Sequence, residues 1–93
     1  MHRIDLFFSE RELSRVCKAI RAAGAPGYSG MRHVTGADHG GEISEAMDFT
    51  GLGANAHVVV FCDDGVLAAL RESVSPLMAT YGGVGFVSPA ERF

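Results

Sequence analysis

Residues 3–8 (RIDLFF) set Ile4, Leu6 and Phe8 on one side and Arg3, Asp5 and Phe7 on the other, the period-two pattern of a half-buried strand. Ser9-Glu10-Arg11-Glu12 follows and reads as a capping box. The Ser9 hydroxyl accepts from the Glu12 N–H, and the Glu12 carboxylate reaches back to the N–H of Ser9. Leu13, Val16, Cys17 and Ile20 then recur at i, i+3, i+4 and i+7, with Arg11, Arg15, Lys18 and Arg21 on the wet side, so the pattern predicts an amphipathic helix. Gly24 supplies its left-handed stop, and Ala25-Pro26-Gly27 makes the turn.

Residues 28–35 (YSGMRHVT) carry the tyrosine, valine and threonine of a strand, with Gly30 marking a weakness, a bulge or a close backbone approach. Residues 36–53 show no sustained period, hold Asp38, Glu42, Glu45 and Asp48 without a lysine or arginine, and exceed an ordinary connection. They predict a long mobile loop. Residues 56–62 (AHVVVFC) are apolar on both faces and predict a central strand. Asp63-Asp64-Gly65 ends it and caps a second helix with Val66, Leu67, Leu70, Val74, Leu77 and Met78 at helical spacing. Pro76 predicts a kink or an early end, and residues 84–88 (VGFVS) form a last short strand. Strand, helix, strand, loop, strand, helix, strand predicts the α+β, ferredoxin-like split βαβ arrangement (βαββαβ): a four-stranded antiparallel sheet with both helices on one face. The other face is left bare, with Phe7 and alternate residues of 56–62 to fill it.

Composition narrows the class. A chain of 93 residues that is 47% hydrophobic and 20% charged suits one compact domain over 1–93, small enough that self-association is expected. Eight basic against eleven acidic residues give a net charge of −3, without the basic stripe that nucleic acid requires. Cys17 and Cys62 read as free, buried packing residues in a reducing, cytoplasmic setting. The start MHRIDLFFSERE does not read as an export signal, and no stretch reaches the length of a membrane span.

Twelve glycines are roughly twice the usual share. They gather in residues 36–53 and around Gly82, Gly83 and Gly85. The second group is either a turn with a close sheet contact or a loop facing a ligand. Ser29 and Asn55 likewise either finish strand-end hydrogen bonds or touch a ligand, and Tyr28 either packs or binds. The chain offers neither GxxxxGK[ST] nor a legible catalytic triad, so no catalytic residue is assigned. His2, His33, His39 and His57 lack metal-ligand spacing and read as ordinary polar histidines. His39, beside Asp38, is the one expected to respond to pH or to meet a partner.

Several pieces, in order, resemble the PII family of signal-transduction proteins, above all its divergent branch linked to bicarbonate transport and carboxysomes. Residues 23–29 (AGAPGYS) look like the entry to that branch's second strand, and residues 35–53 occupy the place of the T-loop, which reaches into partner proteins. Residues 55–60 (NAHVVV) are similar to the third strand, and residues 86–91 (FVSPAE) to the ending of the fourth. The resemblance implies a non-catalytic homotrimer that binds an adenine nucleotide in clefts between subunits and reports occupancy through the T-loop. The effector-binding residues it implies are Gly27, Tyr28, Ser29, Gly36, Asn55, Gly82, Gly83, Val84, Gly85 and Arg92; those of the partner-binding loop are Asp38, His39, Glu42, Glu45, Met47 and Phe49. No cofactor is implied, and the partner is a membrane transporter or an enzyme.

The departures shift the expected ligand. Val84 stands where nucleotide-binding relatives carry a phosphate-contacting lysine, and the sequence ends at Phe93, before their RxR pair. The loop lacks the family's modifiable tyrosine and the arginines with which some relatives hold phosphate, leaving Arg32, Arg92 or a neighbouring subunit's arginine to substitute. A triphosphate loses its charge-assisted contacts, so AMP, ADP or bicarbonate becomes the expected effector. Two rivals share the element order: a metal-linked trimer resembling divalent-cation tolerance or metal-efflux-associated PII-like proteins, and a dimeric α+β-barrel enzyme with its pocket on the bare sheet.

Overall fold

The alternation in residues 3–8 becomes β1 (His2–Ser9), whose Ile4, Leu6 and Phe8 are buried. In a computed structural model that describes residues 1–34, 36–38, 41–43 and 54–93, it leads through a 3-10 turn (Glu10–Glu12) into α1 (Leu13–Ala22). Then come β2 (Ser29–Val34), β3 (Gly36–Asp38), β4 (Gly41–Ile43), β5 (Asn55–Cys62), α2 (Asp64–Tyr81) and β6 (Val84–Pro89). The main sheet has the order β2-β5-β1-β6 with every pair antiparallel, the split βαβ arrangement the pattern predicts. Strand β5 is central, as expected of a strand apolar on both faces.

Register decides what each face carries. Ile4 lies opposite Val60, Leu6 opposite Val58 and Phe8 opposite Ala56, so the even positions of both strands make one apolar surface. Val16 and Ile20 of α1 and Leu70 and Val74 of α2 close over it. Cys17 and Cys62 are buried free thiols, and burial pushes the Cys62 thiol up from its ordinary value. Helix α1 ends as Gly24 predicts: at φ +87° it lets its own N–H reach Arg21 O and that of Ala25 reach Ile20 O, the paired closure of a Schellman motif. Asp63 caps α2, its carboxylate accepting from the Val66 N–H at 2.9 Å.

Three local expectations are corrected, and one is filled in. The Ser9 hydroxyl accepts from Arg11 N–H rather than from Glu12, while the Glu12 carboxylate pairs with Arg15. The intervening 3-10 turn is what separates the reciprocal partners of a capping box. Helix α2 runs through Pro76 to Tyr81. Pro76 is exposed, where water can serve the Glu72 carbonyl that lost its donor, and Leu77 and Met78 beyond it still pack on the core. The irregularity of β2 lies between Met31 and Val34, not at Gly30. Within residues 36–53, the long insertion between β2 and β5 in which the sequence shows no sustained period, β3 and β4 pair as a short antiparallel hairpin.

The odd positions face away from the helices. Met31 lies opposite His57, His57 opposite Phe7, and Phe86 opposite Asp5, so Phe7, Met31, His57, Val59, Phe61 and Phe86 share the uncovered face. Met31, Phe61 and Phe86 are exposed, three large apolar side chains on one face of the sheet.

Candidate functional site

Strand termini converge at one end of the sheet. Ser9 and Val34, the last residues of β1 and β2, both pair with Asn55, the first of β5. Val84, the first of β6, pairs with Phe7 two residues away. Residues 35–53 therefore leave and re-enter the sheet at a single place. Asn55, with its side chain buried, donates from Nδ2 to Val34 O at 3.3 Å, and the Glu10 N–H donates to Ala54 O at 2.8 Å. The two ends of the segment are thus tied to each other and to the end of β1.

At the same place a carboxylate meets two basic side chains. Glu10 Oε1 accepts from Arg32 Nη1 at 3.0 Å, and its Oε2 lies 3.5 Å from His33 Nδ1. Successive residues of a regular strand point to opposite faces, so Arg32 and His33 reach one carboxylate only because the strand is bulged between Met31 and Val34. His33 adopts φ +58°, left-handed for a residue with a Cβ, at a cost of about 1 kcal/mol. The Glu10 side chain keeps 14% of its exposure while Arg32 keeps 65%.

The effector residues predicted from sequence fall into separate groups. Gly82, Gly83, Val84 and Gly85 enter β6 at the end where Asn55 and the first residue of β3, Gly36, also lie. Gly83, at φ +133°, approaches Phe7 O so closely that a Cβ there would sit 2.9 Å from it, and a Cβ on Gly85 would sit 2.9 Å from Leu6 Cδ2. Both glycines therefore have a packing reason. Gly83, Val84 and Gly85 also line an apolar cleft of about 220 Å³ between α2 and β6. Gly27, Tyr28 and Ser29 stand at the start of β2 on the opposite edge. With β5 and β1 between them, β2 and β6 are three strand spacings, about 14 Å, apart. Tyr28 is held against α1, its hydroxyl accepting from Arg21 Nη1 at 2.7 Å. Arg92 follows β6 beyond Pro89, which pairs with His2, at the end of the sheet away from the glycine turn.

Of the loop residues, Asp38 and Glu42 fall on the paired strands β3 and β4, and His39, Glu45, Met47 and Phe49 lie outside the described residues. Sequence reasoning missed Glu10, and it read His33 as an ordinary polar side chain. Glu10 precedes Arg32 by 22 positions, and no spacing rule links them.

The uncovered sheet face carries its own polar network. Arg3 donates from Nε and Nη2 to the two oxygens of Asp5, each at 3.0 Å. His57 Nε2 lies 2.8 Å from Asp5 Oδ1 and, facing a carboxylate, carries the proton that it donates. The His57 ring stacks on Phe7 with centroids 4.2 Å apart. Arg3 foremost, and then the His57 bond, holds Asp5 below the usual carboxylate range against the opposing effect of desolvation. Among the described residues no three His, Cys, Asp or Glu side chains gather as a metal-binding group, and no helix is long and apolar enough to cross a membrane.

A split βαβ sheet with a long insertion returning to one strand end is the frame of a P-II-type signal transducer. The chain belongs to that family: it matches the model of nitrogen regulatory protein P-II over residues 1–93. P-II proteins are non-catalytic and typically trimeric regulators. Among solved structures it is similar to CPII, a nitrogen regulatory PII-like protein from Thiomonas intermedia K12 bound to ADP, AMP and bicarbonate. That match has a TM-score of 0.79 and 17% identity, covering 94% of this chain and 82% of that one. The apo form of CPII from the same organism matches with a TM-score of 0.74 and 16% identity, covering 94% of this chain and 85% of that one. No curated protein sequence matches.

Proposed function

We propose that this P-II protein is a homotrimeric sensor of a small anionic effector, AMP, ADP or bicarbonate, which it binds between subunits and reports to a transporter or enzyme through residues 36–53. The observation that carries the reading is the convergence at one sheet end: both stems of the segment, Val34 and Asn55, lie beside the entry to β6. A ligand seated there acts directly on the segment's anchorage. The predicted effector residues of β2 and β6 lie on opposite edges of the sheet, so one chain cannot close a small pocket with both. Packing the bare faces of neighbouring copies, with Met31, Phe61 and Phe86 at the contact, would bring an edge of one subunit toward an edge of the next. The CPII structure that holds ADP, AMP and bicarbonate supports this choice of ligands. Val84, where relatives carry a lysine, favours them over a triphosphate. Buried free thiols at Cys17 and Cys62 favour action in the reducing cytoplasm.

Calorimetric titration of the purified chain with AMP, ADP, ATP, cyclic AMP and bicarbonate, alongside its mass by light scattering, tests the proposal. A trimeric mass, with heat from AMP, ADP or bicarbonate exceeding that from ATP, is expected. The sensing function is refuted by a trimer that takes up none of them.

A further inference from the structure

We infer that Arg32 and His33 form the oxyanion-binding element of the effector site and that Glu10 is its built-in competitor. The inference rests on the effector reading above and names the residues that carry charge within it. Three observations converge. The Arg32 guanidinium has five donors but, among the described residues, bonds a single acceptor, Glu10 Oε1, while the rest of its side chain stays open to solvent. His33 is turned to the same carboxylate by left-handed backbone at a bulge, an unfavourable conformation for a residue with a Cβ and one that gathers two basic groups on one anion. Lastly, this group sits on the stem of residues 35–53: Arg32 and His33 precede its departure, and the Glu10 backbone holds Ala54 at its return.

The Glu10 carboxylate therefore occupies the position an external oxyanion would take. A phosphate monoester or bicarbonate presents the same oxygens, and charge-assisted bonds from a guanidinium suit either. When such an anion takes Arg32, Glu10 loses its partner. Because the Glu10 N–H anchors Ala54, displacement of Glu10 reaches the point where the segment re-enters the sheet. Ligand charge is thereby coupled to the segment's anchorage without a lysine at position 84.

The test compares wild type, Glu10→Gln and Arg32→Gln by titration with AMP, adenosine and bicarbonate. Glutamine at position 10 keeps the size of the side chain and a bond to Arg32 but removes the competing charge. Its affinity for the anion should rise about fivefold, the scale of one partly exposed ion pair. Arg32→Gln should lose about tenfold or more, the scale of a charge-assisted bond. Adenosine, which lacks the phosphate, should bind all three within about twofold, which also reports that the variants are folded. A gain and loss confined to AMP identifies the nucleotide phosphate as the anion, and one confined to bicarbonate identifies the free ion. Binding of AMP and bicarbonate with unchanged affinity in both variants overturns the roles given to Arg32 and Glu10 and leaves the effector function standing. Absence of binding in every protein overturns both.

Discussion

Replacing Gly83 with alanine probes the join on which the glycine turn depends. At φ +133° a residue with a Cβ is strained, and the new methyl would sit 2.9 Å from Phe7 O, 3.0 Å from Phe8 Cβ and 2.5 Å from Met78 Sδ. The methionine can swing aside. The Phe7 carbonyl belongs to the central strand β1, which is paired on both edges, and cannot. Backbone strain of about 1–2 kcal/mol and overpacking of about 1–3 kcal/mol together cost about 2–5 kcal/mol, against a typical domain stability of roughly 5–15 kcal/mol. Gly24→Ala is the internal control: its φ is +87°, yet nothing lies within 4 Å of the added carbon, so it incurs strain alone. In urea titrations at one fixed protein concentration, which holds any contribution from association constant, an m-value near 1.5 kcal/mol per M puts the midpoint of Gly83→Ala lower by roughly 1–3 M. Gly24→Ala should fall by about 1 M on the same scale. Equal midpoints for the two variants would refute the close-contact argument and leave strain as the whole effect.

Two further outcomes are expected. Phe86→Asp places a charge on the uncovered sheet face, where Phe86 is 59% exposed in the single chain and meets Phe7 edge-on at 6.4 Å; light scattering should show the trimeric mass replaced by a monomeric one. Asp5 is held below the usual carboxylate range, first by Arg3, so its ionised form favours the folded state. That contribution is complete above the ordinary carboxylate value near pH 4 and is lost as pH falls through the lower folded value. Subtracting the pH–stability profile of Asp5→Asn from that of wild type should therefore give a difference that shrinks on acidification below about pH 4, and a difference independent of pH would contradict the assignment.

Much of this protein is written locally. Period two in residues 3–8, period 3.6 from Leu13 to Ile20, the stop at Gly24 and the cap at Asp63 each depend on residues within one or two turns of chain, and each holds in the structure. The burial of Ile4, Leu6, Phe8, Val58 and Val60 follows from the same patterns, because an apolar face has only one favourable place to go. Tertiary structure alone decides what depends on register. The bulge at His33 has no glycine to announce it, yet it turns Arg32 and His33 onto Glu10. The pairing of Asp5 with His57, 52 positions apart, exists because β1 lies against β5 in one alignment and no other. The continuation of α2 through Pro76 is likewise a tertiary outcome. A lost hydrogen bond on the exposed side weighs less than the contacts that Leu77 and Met78 make with the core beyond it.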